Sequence, residues 1–469
     1  MPSSNFSSST AASASTCNVL VPCGALGIGV RENDIFAALP DAHAIAVDAG
    51  STDSGPAYLA TGRAKYSRDA VRHDLSVLMR AQAKAGIPLV IGSCGTSGND
   101  EALEWMRDIA LDIAHEHGLT PRIALLYSEQ SPESMAERAQ AGRITPLAPL
   151  QDTNPEDFRS CDHIVALMGV EPYIEALQAG ADIVLGGRTT DTAVLAAVPL
   201  MRGAGAGPAW HSAKIAECGA LCTTHPREGG VMIRVGAEHF TVEPLAAHSR
   251  CTEETVFAHM LYENSDPFVL YEPGGVLDVT DAEYVAIDDR VVHVTGSRFD
   301  PRPYTMKLEG ARGGSYQTIM LVGIEDPKVL ANIDRFVAHM HEVLTARVGE
   351  TMGARSGNFD ISLRPYGWNA VSGLPVSASA QPPREIGLMF VATAETQAIA
   401  TQIAKTCNPW FFHLQVEASL ELPSYAFPFS PAELERGQVY EFKLNHIVHV
   451  DHPMELVRLQ FVNTEVAHA

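Results

Sequence analysis

The sequence predicts an α/β protein: a parallel-sheet N-terminal domain, an α+β second domain and a small α+β C-terminal segment. Three observations carry that expectation. Between Cys17 and Met201, short apolar runs alternate with stretches that repeat at the helical period, as parallel βαβ units do. Several of those runs end in glycines and small polar residues, the signature of a strand turning into a helix. After the Gly203-Ala204-Gly205-Ala206-Gly207 run the alternation gives way to short, turn-separated strand-like segments.

At 469 residues the chain exceeds one ordinary core. The expected division is a tail at 1–16, an α/β ligand-binding domain at 17–202, an α+β domain at 203–384 and an α+β segment at 385–469. A formal charge of -23 argues against nucleic acid and anionic membranes as partners, and no apolar run is long enough to span a bilayer. Pro2–Thr16 is rich in Ser and Ala, without the arginines of a transit peptide or the apolar core of a signal peptide. A cytoplasmic protein with reduced thiols is therefore expected. Its eight cysteines are scattered, with Cys218 and Cys222 the close pair and no second pair for a zinc site.

Taken in order, Cys17–Pro22 reads as a strand ending in Gly24-Ala25-Leu26-Gly27-Ile28-Gly29, and a helix follows through Leu39. The next strand, Ala44–Val47, closes on Asp48-Ala49-Gly50-Ser51-Thr52-Asp53. This resembles a dinucleotide turn, but the glycines run GxxGxG rather than GxGxxG, so no redox cofactor is convincingly implied. A helix over Val71–Ala85 feeds the strand Pro88–Ile91, whose loop Gly92–Gly98 carries three glycines, Ser93, Cys94, Thr96 and Ser97. Asn99 stands at an N-cap position, and Asp100–His117 is amphipathic through Leu103, Met106, Ile109 and Ile113. Strands at Ile123–Tyr127, His163–Met168 and Asp182–Leu185 alternate with helices at Pro132–Ala141, Pro172–Ala179 and Thr192–Met201. Met201–Pro208 reads as a loop, and Arg355–Val376 as loop-rich.

Three strand ends share one chemistry. The loops at 48–53, 92–99 and 186–191 offer free amides at helix starts, which favour bound anions, together with small hydroxyls. Arg188, with Thr189 and Thr190, is a carboxylate or phosphate receptor by type. Candidate substrate contacts are Gly27, Gly29, Ser51, Thr52, Ser93, Thr96, Ser97, Asn99, Arg188, Thr189, Thr190 and Arg312. Asp53 and Asp191 are candidate acids or bases, and Lys307, on one strand face with Glu309, is a candidate base or anion contact. Cys94, before a helix N-terminus that would lower its pKa, is a candidate nucleophile. The acids also fit ordinary helix caps, so no metal ligand is assigned, although a divalent metal among them is conceivable. His446, His449, Asp451 and His452 fall on opposite strand faces and do not form one metal site without a turn.

Six stretches resemble the acyclic terpene utilisation AtuA-like family. They are DAGSTDSGPAYLATG (48–62), IPLVIGSCGTSGND (87–100), ADIVLGGRTTDTA (181–193), CTEETVFAHMLYENSDP (251–267), EPGGVLDV (272–279) and YTMKLEGA (304–311). They run in the family's order and cover residues 18 to 450. Where the family pattern has GSAGT, this chain has GSCGT, which speaks against a shared thiol mechanism. The resemblance implies catabolism of branched or acyclic carboxylic acids, often as CoA thioesters, and a short companion protein of ferredoxin-like fold. With a small anionic substrate and proton-transfer chemistry in view, the expected activity is that of a lyase or hydratase. The alternatives are a hydrolase or acyl transferase using Cys94 or Ser97, and a non-catalytic subunit dependent on its companion. A homo-oligomer is expected for a large catabolic chain.

Overall fold

The computed structural model describes residues 16–377, 379–415 and 425–463, so the tail expected at 1–16 lies, but for residue 16, outside the described residues. Two units are resolved, Met1–Arg312 with Phe442–Ala469, and Gly313–Glu441.

The first unit is built on a ten-stranded sheet. Five parallel strands form its centre, in the spatial order Cys17–Val21, Ala44–Asp48, Leu89–Gly92, Ile183–Gly186, Arg122–Tyr127. Nearly every position in them is buried, as expected of strands covered on both faces. Their period of two divides the side chains cleanly. Val19, Val21, Ala44, Ala46 and Val90 join the core shared with Val194, Val198 and Trp210 of helices Ala193–Met201 and Ala206–Ala216. Leu20, Ile45, Val47, Leu89 and Ile91 face the other way, against Leu75 and Leu78 of helix Arg68–Ala85 and Leu103 and Met106 of helix Asp100–His117.

Antiparallel strands extend both edges. Val231–Val235, His239–Pro244, Val292–Thr295 and Glu283–Ala286 follow one another outward from Cys17–Val21, and Arg458–Asn463 pairs with Arg122–Tyr127. The segments after Gly203 thus belong to the same sheet, and the chain does not divide at the boundary expected there. His163–Ala166, expected among the parallel strands, instead pairs antiparallel with Leu308–Ala311 and with Glu129–Gln130. A separate antiparallel sheet of three strands comprises Val269–Glu272, Gly275–Asp278 and Arg298–Pro301.

A helix not expected from the sequence, Ala206–Ala216, begins inside the loop expected at Met201–Pro208. Gly207 and Pro208 fall in its first turn, where proline costs nothing, and ten successive residues from Gly207 to Ala216 are buried. A helix with no polar face leaves no amphipathic period to detect.

In the second unit, strands Phe359–Tyr366 and Ile386–Ala394 pair antiparallel, and Ile386–Ala394 pairs in turn with Tyr316–Ile324. Helices Ile333–Met352 and Gln397–Phe411 cover this sheet through Phe336, Met340, Leu344, Ile403, Cys407 and Phe411. Phe359–Tyr366 replaces the loop expected there. Among the described residues, no helix is long and apolar enough to cross a membrane.

Candidate functional site

Two strand ends are knitted together at the carboxyl edge of the parallel sheet, the edge where open α/β sheets gather ligands. The Ser93 amide donates to the Gly187 carbonyl (3.0 Å), the Cys94 amide to Gly186 (2.9 Å) and the Arg188 amide to Gly98 (3.0 Å). The approach at Gly98 requires glycine: its φ is +63°, and a Cβ there would lie 2.2 Å from the Arg188 nitrogen. Ser93, Cys94, Thr96, Ser97 and Asn99 are all buried in this contact.

The loop's polar groups are consequently spent inside the protein. The Thr96 hydroxyl accepts from the Lys65 amide (3.0 Å), and the Ser97 hydroxyl donates to Asn99 Oδ1 (3.2 Å). Asn99 Oδ1 caps the helix by accepting from the Ala102 amide (3.1 Å), and Glu129 accepts from the Asp100 amide (2.7 Å). A carboxylate of the chain itself thus holds the place expected for an anionic ligand. The same holds at the first glycine-rich turn. The amides of Gly27, Gly29 and Val30 donate to the Asp74 carboxylate at 2.9, 3.0 and 3.1 Å.

On this scaffold sits Arg188. Its Nε donates to Glu309 Oε2 (3.1 Å), and its Nη1 to Ser93 Oγ (3.0 Å), the Thr189 carbonyl (2.9 Å) and Asp191 Oδ1 (3.2 Å). Nη2 makes one long bond, 3.4 Å to Thr52 Oγ1. Glu309 is 6% exposed and also accepts from the Thr52 hydroxyl (2.7 Å) and Lys307 Nζ (2.9 Å). Burial alone would raise its pKa, but the Arg188 and Lys307 charges outweigh burial and hold it down at about 2.

Above this cluster lies a cavity of about 950 Å³, a size suited to a small organic ligand. Arg188, Lys214 and Lys307 contribute cations to its lining, and Asp53, Asp191, Glu217, Glu263, Asp266 and Glu272 contribute carboxyls. Burial pushes the Glu272 carboxyl up to about 7, against the hydrogen bond from the Thr192 hydroxyl (2.8 Å). It also raises Glu217, despite the ammonium of Lys214 bonded to it, and Asp191, despite Arg188. Asp48, at the end of strand Ala44–Asp48, is driven upward by burial and by the Asp191 charge, and its Oδ1 has no hydrogen-bond partner among the described residues.

The family model for acyclic terpene utilisation family protein AtuA matches residues 48–223 and 238–424. The chain belongs to this family. No curated protein and no solved structure matches it. The AtuA description assigns a role in acyclic terpene utilisation and names no reaction. Every residue named above as lining the cavity falls inside the matched segments.

The structure gathers some of the expected site residues and disperses others. Asp53, Arg188, Thr190, Asp191 and Lys307 line the cavity. Asp53 accepts from the Ser51 hydroxyl (2.6 Å), while Thr52 and Ser93 stand behind Arg188 as its supports. Thr189 is buried against the Tyr173 hydroxyl (2.7 Å). Gly27, Gly29, Thr96, Ser97, Asn99 and Arg312 are not among the lining residues, and Arg312 acts on Cys161. The lowered pKa expected of Cys94 is not found. Burial, reinforced by Asp48, pushes the thiol up, and its sulfur sits in the core with Ile91 and Leu103.

Sequence reasoning missed Lys214, Glu217 and Glu272. The first two ride on the unanticipated helix Ala206–Ala216 and its C-cap. Glu272 opens the EPGG turn between strands Val269–Glu272 and Gly275–Asp278, a spot that reads as plain hairpin chemistry.

Proposed function

We propose that this AtuA-family protein is a lyase or hydratase acting on a branched, acyclic carboxylic acid or its CoA thioester. The observation that carries the reading is the pairing, in one cavity, of cationic groups with carboxyls whose pKa values burial has raised, that of Glu272 to about 7. Lys307, 40% exposed at its side chain, receives the substrate carboxylate or a developing enolate oxygen, with Arg188 Nη2 as a second donor. Glu272 and Asp191 move the protons. One takes a proton from the carbon next to the carbonyl, while the other protonates the departing hydroxyl, and addition of water reverses both transfers. A carboxyl near pKa 7 suits either direction at neutral pH. No dinucleotide is needed for this chemistry.

The test uses the purified chain alone, with acyclic branched enoic and 3-hydroxy acids and their CoA thioesters. Turnover, or exchange of the α-hydrogen with deuterated water, is expected. Glu272→Gln should lower kcat at least about a hundredfold, the usual worth of a positioned acid or base. Unchanged turnover in Glu272→Gln would refute the acid–base assignment. Turnover without any added protein would remove the need for a companion.

A further inference from the structure

Beside the carboxylate receptor, Glu217 of the cavity lining meets two side chains behind it, and the proposed proton transfers leave all three idle. A carboxylate oxygen of Glu217, the Cys218 sulfur and a ring nitrogen of His259 all lie within 4.8 Å of one another. His259 is 3% exposed and its Nε2 has no hydrogen-bond partner among the described residues, a costly state for a buried polar atom. We infer that Glu217, Cys218 and His259 form a binding site for a zinc-class divalent ion.

Three pieces of structure hold the ligands. Glu217 is the C-cap of helix Ala206–Ala216, and His259 closes helix Glu253–His259. Cys218 is fixed by a backbone contact, since a Cβ on Gly24 would lie 2.6 Å from the Cys218 carbonyl oxygen. Gly219, at φ +61°, turns the chain there. Four-coordinate zinc with bonds of about 2.0–2.3 Å places its ligand atoms about 3.5 Å apart. From a spread of at most 4.8 Å, the group therefore needs to close by at most about 1.3 Å.

The donor set selects the ion. Thiolate and imidazole favour zinc, and they disfavour magnesium and calcium. One oxygen, one nitrogen and one sulfur also match catalytic rather than structural zinc, which keeps a fourth position open. Ion binding by Cys218 takes its thiolate form and releases the thiol proton to solvent. Lys214 occupies Glu217 Oε1 and leaves Oε2 for the ion. Because Glu217 lines the cavity, a bound ion would stand beside the substrate receptor.

The full chain is stripped with chelator and titrated with zinc and with cobalt(II), alongside Cys218→Ser and His259→Gln. Apo melting temperatures of the variants check that they fold. Expected results are one zinc per chain, an intense tetrahedral cobalt(II) spectrum with a thiolate charge-transfer band, and loss of that band in Cys218→Ser. Each variant should lose at least about a hundredfold in zinc affinity, the upper range for disturbing even an outer-shell partner. A weak octahedral cobalt spectrum, or equal zinc affinity in the wild type and both folded variants, overturns the site. Metal binding is read without substrate, so its failure is distinct from failure of the proposed reaction, which Glu272→Gln reports.

Discussion

Replacing Glu309 by Gln tests the electrostatic centre of the molecule. The carboxylate is 6% exposed and receives Arg188, Lys307 and Thr52 at 3.1, 2.9 and 2.7 Å. Its pKa stands at about 2 in the folded chain against an ordinary 4.5. At about 1.4 kcal/mol per tenfold in proton affinity, that depression is worth about 3 kcal/mol to the folded state. Breaking a buried pair by removing one partner costs about 3–5 kcal/mol, so an independent argument reaches the same range. The sign follows from the depression. The stabilisation is complete above pH 4.5 and drains away as the pH falls toward 2, because the unfolded chain binds the proton first. By pH 3 about 2 of the 3 kcal/mol are gone.

Glu309→Gln is therefore expected to be about 3 kcal/mol less stable than the wild type at pH 7, with the gap narrowing to about 1 kcal/mol at pH 3. Urea unfolding of both chains at the two pH values measures it, since the other titrating groups are common to both and cancel. A gap of equal size at pH 3 and pH 7 would refute the reasoning, because the loss would then be one of packing rather than charge.

Three further outcomes are expected. Gly98→Ala should lower stability by about 2 kcal/mol or more, combining left-handed strain with overpacking against the Arg188 nitrogen, and a thermal melt reads this directly. A thiol reagent on the folded chain should label Cys218, the partly exposed cysteine, before Cys94, and Cys94→Ala should keep its turnover; loss of turnover there would revive a thiol mechanism. Glu272 carries a raised pKa, so it favours folding below its ordinary 4.5 and costs stability as pH climbs toward about 7. In Glu272→Gln that decline between pH 4.5 and 7 should shrink, which unfolding curves at both values would show.

The parallel strands and their helices were legible because both faces of the sheet are covered, leaving continuous apolar runs such as Leu89–Gly92 and clear caps such as Asn99. Arg188, Asp191 and Lys307 were legible as chemistry for the same local reasons. What sequence reasoning could not supply was direction. Ser93, Thr96 and Ser97 look like a ligand cradle, yet Gly98 lets the next loop come so close that they are buried, Ser93 supporting Arg188 while Thr96 and Ser97 bond Lys65 and Asn99. Likewise, nothing local to Gly27 and Gly29 reveals that Asp74, 47 and 45 residues away, already satisfies their amides. Lys214 and Glu217 escaped because a helix buried on every side has no period to read.

The cavity presents a problem of its own. Its lining holds six carboxyls against three cations in a chain of charge -23, which should repel a carboxylate substrate. Moreover, Arg188 is committed to Glu309 and Asp191, and Lys214 to Glu217, which leaves Lys307 as the accessible positive group. The raised carboxyls resolve this. With burial raising Glu272 to about 7 and Glu217 to about 8, and raising Asp191 as well, the lining carries less negative charge than its acid count implies, and a carboxyl that holds its proton is a hydrogen-bond donor toward an anion. The same groups that could move protons are then what makes the cavity acceptable to an acid. It follows that carboxylate affinity should fall as pH rises above about 7, where Glu272 ionises. Titrating a branched carboxylate by calorimetry at pH 6 and pH 8 decides the matter. Equal affinity at the two values would mean that the anion is received away from Glu272, and that Lys307 acts without the acids around it.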